Sequence, residues 1–270
     1  MKGIIGVALF VVCGTHLLAQ SAPQVPLTFE VASIKPAKQA TAGGGGFPPG
    51  RFFMSHATLQ TLVRLAYDVP DYRVINGGPS WIGSDEFEVD ARAPTISGTL
   101  ATQAQVKRML QALLQERFKL TIRRETRDMP NYQLVFARPD RRLGQKLRRS
   151  QSDCATPEGR NRARAAATGG RFPCYTTMGP TPGGQMLFTA DGIEFAQLVE
   201  FAAQRLRRTI RNDTDLSGLF DWEFSWADEL EVDGPAFLTA FEEQLGLKLE
   251  SGRGPVELLV IDSAERPTPN

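Results

Sequence analysis

The sequence predicts an α+β fold made of two similar small modules, joined by a polar insert. Three observations support this: short apolar runs with strand alternation, apolar positions at helical spacing, and the same succession of such segments appearing twice. The helical segment ATLQTLVRLA at 57–66 answers to IEFAQLVEFA at 193–202, setting Leu59, Leu62, Val63, Leu65 and Ala66 against Phe195, Leu198, Val199, Phe201 and Ala202. WIGSDEFEVDA at 81–91 answers to LSGLFDWEFSW at 216–226, with Phe87, Val89 and Ala91 set against Trp222, Phe224 and Trp226. Phe118 and Leu120 answer to Leu247 and Leu249, and Leu134-Val135-Phe136 to Leu259-Val260-Ile261. The spacing between matched residues runs from 136 down to 125.

Each element has a local reason. Helices are expected at 58–67, 102–117, 192–205 and 235–245, the second opened by a Thr102/Gln105 capping box and the last by Gly234-Pro235. FEVASIKP at 29–36 reads as an extra strand, and TAGGGGFPPG at 41–50 as a glycine-rich connection. The expected layout is therefore a leader at 1–19, an N-terminal strand and linker at 20–50, a first module at 51–137, an insert at 138–184 and a second module at 185–270.

The leader has the three parts of a secretory signal: Lys2, an apolar run from Ile4 to Val12, and Leu17-Leu18-Ala19 before a cleavage between Ala19 and Gln20. The apolar run is too short to span a bilayer, so no transmembrane segment is expected after cleavage, and the predicted location is periplasmic or secreted. Cleavage removes Cys13 and leaves Cys154 and Cys174, 20 residues apart, for a disulfide in an oxidising compartment.

Composition narrows the chemistry. The 270 residues are 41% hydrophobic and 23% charged, with a formal charge of +1, which argues against disorder and against a surface built to grip nucleic acid. The neutral total hides a local contrast. Residues 138–172 hold ten Arg or Lys against three acids, whereas 213–250 hold eleven acids against one Lys. Arg141, Arg142, Lys146, Arg148 and Arg149 form the candidate interaction surface, with three readings open: a solvated loop, a polyanion site, or docking onto an acidic surface that includes the chain's own 213–250 segment.

With the leader removed, His56 is the only histidine. No GxSxG elbow, HExxH, GxxxxGK[ST] or strand-to-helix GxGxxG is present, so no catalytic residue, cofactor or metal ligand is assigned. Asp85, Glu86, Glu88 and Asp90 crowd one strand, with Asp221 and Glu223 at the matching place. They read either as the wet face of a half-buried strand or as the carboxylates of a glycan or peptide hydrolase. Trp222, Phe224 and Trp226 read as core or as a stacking platform.

FEVASIKP, LVRLAYDVPDYRVINGGPSWIGSDEFEVDARAP at 62–94, LQALLQERFKLTIRRETRDMPNYQLVFA at 110–137 and EEQLGLKLESGRGPVELLVIDSAERPTPN at 242–270 resemble the Solibacter-type family of exported acidobacterial proteins, a domain of unknown function. That resemblance implies an extracytoplasmic sensing or docking part and assigns no activity. The second half is also similar to the short N-terminal domain of secretins and TonB-dependent receptors, departing from it in the acidic insert ADELEVDGP and in Arg205-Leu206-Arg207. The function expected from these readings is non-catalytic binding of an envelope protein or extracellular ligand, with an extracytoplasmic hydrolase as the alternative.

Overall fold

A computed structural model describes residues 27–38, 44–95, 98–167, 173–228 and 234–268. The expected leader, with Ala19 and Gln20, lies outside the described residues. The described chain forms β1 (Val31–Pro36), β2 (Gly45–Gly46), β3 (Arg51–Thr58), α1 (Leu59–Tyr67), β4 (Val74–Asn76), β5 (Glu86–Arg92), α2 (Gln103–Arg117) and β6 (Thr121–Phe136). There follow β7 (Leu147–Arg149), α3 (Pro157–Ala165), β8 (Tyr175–Pro180), β9 (Met186–Glu194), α4 (Phe195–Leu206), β10 (Ile210–Asn212), β11 (Leu219–Trp226), α5 (Phe237–Leu245) and β12 (Leu247–Ser263).

The strands make three sheets of mixed α/β architecture, ordered β1-β5-β3-β2, β10-β6-β12-β4 and β7-β11-β9-β8. In the first body, α1 turns Leu59, Leu62, Val63 and Ala66 inward at helical spacing, and α2 contributes Val106, Met109, Leu110, Leu113 and Leu114 to the same core. The second body packs Phe195, Leu198 and Ala202 of α4 and Phe237, Ala240 and Phe241 of α5 against Phe188, Trp222, Phe224 and Trp226 of the third sheet. Thr58 caps α1 through Thr61 N–H, and the expected Thr102/Gln105 capping box is present on α2. Pro235 instead lies just before α5, whose first residue is Phe237, because the Pro235 carbonyl accepts from Ala227 N–H and ties the helix approach to the end of β11.

The central sheet joins the two bodies. Strands β6 and β12 run antiparallel from Thr121↔Ser263 to Phe136↔Leu247, so each long strand serves both cores. Leu259 and Ile261 at the end of the chain lie in the first core with Ile34 and Phe52, while Leu134 of β6 lies in the second. Short β4 adds to β12 in parallel, and short β10 adds to β6 in the same sense.

Register differs from the sequence matches by two residues. With Leu59 set against Phe195, Met54 corresponds to Ala190; Met54 pairs with Val89 and Ala190 with Trp222, so Val89 answers to Trp222 and Phe87 to Phe220. Likewise Val74 pairs with Leu259 and Ile210 with Tyr132, which sets Leu134 against Ile261. A shift of two leaves every strand side chain on the same face, and alternation alone does not detect it.

Candidate functional site

The third sheet has two contrasting faces. Its inner face is apolar, with Trp222 2% and Trp226 1% exposed, and its aromatic rings pack edge-on, as with Phe188 and Trp222 at 5.6 Å. These rings form core and leave no stacking platform on the surface. The outer face bears Thr189 and Asp191 of β9, Asp221 and Glu223 of β11, Tyr175 and Thr177 of β8, Arg148 of β7, and Lys146 just before it. Together they border an open groove of about 730 Å³.

The basic insert is drawn into this face. Arg148 Nε donates to Asp221 Oδ2 at 3.1 Å, Lys146 Nζ to Glu223 Oε1 at 2.6 Å, and Arg141 reaches Asp215 at 3.6 Å. Arg149 donates to the Ser217 carbonyl at 3.2 Å and lies over the Phe220 ring, while Arg142 pairs with Asp140 at 3.4 Å. Four of the five candidate cations therefore contact the chain's own acidic segment. Short β7 explains the geometry: Leu147–Arg149 adds to β11 through Phe220↔Arg149, Asp221↔Arg148 and Trp222↔Leu147, which lays opposite charges side by side.

A β-bulge organises the middle of the groove. Between Phe220 and Trp222 the ladder steps, and Gly192 takes φ +65, a conformation glycine adopts without the Cβ penalty. Gly192 N–H donates to Asp221 Oδ1 at 2.9 Å, so both oxygens of this carboxylate, whose side chain is 12% exposed, are engaged. The neighbouring Asp191 carboxylate accepts from the Ser152 hydroxyl at 2.6 Å.

The expected disulfide joins Cys154 to Cys174 with Cα atoms 5.4 Å apart. Cys154 Sγ lies where a Gly192 Cβ would be, at 2.3 Å from it, so a side chain at 192 has no room. Cys174 N–H donates to the Asp191 carbonyl at 2.8 Å, which docks the start of β8 on β9. At its other end Thr181 N–H donates to the Gln185 carbonyl at 2.8 Å and closes a hairpin. Strand β8 is thus held at both ends as the outermost strand of its sheet.

The sequence reading treats 138–184 as a polar insert and misses β7, α3 and β8 within it. Signals for two of them are present: Thr156-Pro157 is a cap followed by Pro at N1, and Tyr175-Thr176-Thr177-Met178 is rich in strand formers.

Three of the acids singled out at 85–90 each engage a different partner. Asp85 accepts from Arg266 Nε at 2.8 Å, Glu86 meets His56 Nδ1 at 2.8 Å, and Asp90 forms a two-point pair with Arg51 through Nε at 2.9 Å and Nη2 at 2.6 Å. The Arg51 hydrogen bonds hold the Asp90 carboxyl below its usual range. His56 itself occupies a left-handed position, φ +55, in a bulge of β3 between Met54 and Ala57. Among the described residues no group of three or more His, Cys, Asp or Glu is gathered to hold a metal ion, and no helix is long and apolar enough to cross a membrane.

Residues 60–264 match a family model described as a protein of unknown function, DUF3738, and the chain belongs to that family. No curated protein and no solved structure matches the chain.

Proposed function

We propose that this protein is an exported, non-catalytic interaction module that takes an extended polypeptide segment onto the outer edge of β8. One observation carries the reading: β8 is a six-residue edge strand, YTTMGP, with no charged residue and with Tyr175 57% and Met178 56% exposed. Sheet edges that must stay unpaired are normally short, charged or interrupted. The other outer strands follow that rule, since β2 has two residues, β4, β7 and β10 have three each, and β1 carries Lys35 and ends in Pro36. An added strand would take its main-chain hydrogen bonds from β8, with side-chain selection supplied by the groove beside Tyr175 and Thr177. The candidate cations of the basic insert are less suited to meeting a partner, because Arg141, Lys146, Arg148 and Arg149 already contact the chain's own acidic segment.

The same reading includes periplasmic or secreted location, an envelope protein or extracellular ligand as partner, and kinship with the Solibacter-type exported family and the secretin/TonB short domain. It also includes origin by internal duplication, supported by the matching strand orders β1-β5-β3-β2 and β7-β11-β9-β8. The hydrolase alternative draws nothing from Asp85 or Glu86, whose partners are Arg266 and His56.

The test is capture of displayed random heptapeptides by the purified chain, compared with Met178→Pro. Proline at an outward-facing edge position removes a donor and leaves the β9 ladder intact. Peptide capture lost in the variant supports the reading. Capture that is indifferent to the substitution, or absent at concentrations where the chain is monomeric, overturns it. Export is read separately from the mature N-terminus, expected at Gln20.

A further inference from the structure

The edge of β8 is complementary to itself, and we infer that its occupant is a second copy of this chain, paired antiparallel about a two-fold axis through Thr177. This deepens the proposed function and rests on it, since it names the partner of the same edge.

The hydrogen-bond phase of β8 is fixed by its hairpin. Thr181 bonds Gln185, and the register steps from there through Gly179↔Leu187, Thr177↔Thr189 and Tyr175↔Asp191. In an antiparallel ladder, residues two apart share the same hydrogen-bonding sense, so Tyr175, Thr177 and Gly179 turn their amides toward β9. Thr176, Met178 and Pro180 turn theirs outward. Pro180 has no N–H to offer, and Cys174 at the other end has φ +60 with its N–H given to Asp191. The usable edge is therefore Tyr175 to Gly179, and its midpoint is Thr177.

Antiparallel pairing about that midpoint places Thr176 of each copy opposite Met178 of the other as the hydrogen-bonded pairs, with Thr177 opposite Thr177. It also places each Tyr175 opposite the other copy's Gly179. That match is chemically specific. No atom lies within 4 Å of a Cβ built on Gly179, so the strand has a bare spot there, and a cross-strand aromatic ring covers such a glycine. Tyr175 is the exposed aromatic on the same face, four residues away. Met178 gains cover from Thr176 on the opposite face. No charge lies on β8, so self-pairing brings no like charges together along the strand. The product is a continuous sheet across two copies, closed by symmetry.

A substitution at the axis reads the register directly. Residues facing one another in a non-hydrogen-bonded antiparallel pair have Cα atoms about 4.5 Å apart, within disulfide range. Thr177→Cys in the purified chain, with its native disulfide kept, is expected to form a covalent dimer under mild oxidation. Tyr175→Cys, displaced from its own symmetry mate, is expected to form little. Sedimentation equilibrium of the unmodified chain is expected to show a reversible dimer that Met178→Pro weakens at least about tenfold, with its fold retained by circular dichroism. A chain that is monomeric at all concentrations and gives no Thr177→Cys dimer overturns the inference. So does a dimer that is indifferent to Met178→Pro. If either occurs while heptapeptides are still captured in a Met178-dependent way, the strand-addition function stands and only the second copy is lost. Failure of capture as well removes both.

Discussion

The first and third sheets share one strand order, yet they treat corresponding places in opposite ways. At the bulge, the first sheet puts His56 in a left-handed conformation and lets its ring meet Glu86, whereas the third puts Gly192 there and fills the vacated space with Cys154 sulfur. At the outer edge, the first sheet stops at two glycines, Gly45–Gly46, whereas the third extends to the six residues of β8 with both ends tied. A single framework thus carries a minimal edge in one body and a long, uncharged and anchored edge in the other. One disulfide thus ties the bulge and the edge of the third sheet together, and the first sheet has no counterpart among the described residues.

The comparison is most severely tested at the strand the two bodies share. Ile261→Ala at the end of β12 is expected to lower stability by about 3 kcal/mol, and Leu134→Ala in β6 by a similar amount, since both side chains are fully buried. Amide exchange should show Ile261→Ala loosening α1 and α2 more than α4 and α5, with Leu134→Ala doing the reverse. Equal loosening of both bodies by each variant would contradict the assignment of each strand end to one core.

Next comes the disulfide. Reduction reopens a loop of sequence separation 20 and is expected to lower stability by about 3 kcal/mol, seen as a lower Tm in reductant. Amides of β8 should lose protection before those of β5.

At the bulge itself, Gly192→Ala is expected to cost about 2 kcal/mol or more, because a Cβ meets Cys154 Sγ and the left-handed backbone disfavours any side chain. His56→Gly at the corresponding place is expected to change stability by less than about 1 kcal/mol, as relief of the same backbone strain offsets the lost Glu86 contact. Denaturant midpoints would decide the matter. Equal losses would mean that the two bulges are not used differently.

The smallest effect lies on the shared ribbon. Hydrogen bonds from Arg127 and Arg123 pull the Glu125 carboxyl from 4.5 down to about 2. A depressed folded-state value adds stability that is complete above about pH 4.5 and is lost as pH falls toward 2. Glu125→Gln should flatten that part of the stability profile slightly, the group being exposed and screened. An unchanged acid limb would show that the ladder of charges contributes nothing measurable.

Much of the framework was legible in the residues. Leu59, Leu62, Val63 and Ala66 announce α1 by spacing, Thr102 and Gln105 mark the start of α2, and Trp222, Phe224 and Trp226 alternate inward as a buried strand must. The candidate site was less legible. Strand β8 and helix α3 lie in a stretch whose glycines, prolines and arginines resemble a linker, and what holds β8 is the Cys154–Cys174 bond and its pairing with β9, neither of which shows in local composition.

Local periodicities, helix caps and the availability of two cysteines follow from residue order alone, because they depend on neighbours within a few positions. Packing in three dimensions set the strand registers, the return of Leu259 and Ile261 to the first core, the matching of Arg148 with Asp221, and which strand lies outermost in each sheet of the described residues. Alternation repeats every two residues and carries no absolute phase, and pairing between segments a hundred residues apart is chosen by the packing of whole faces.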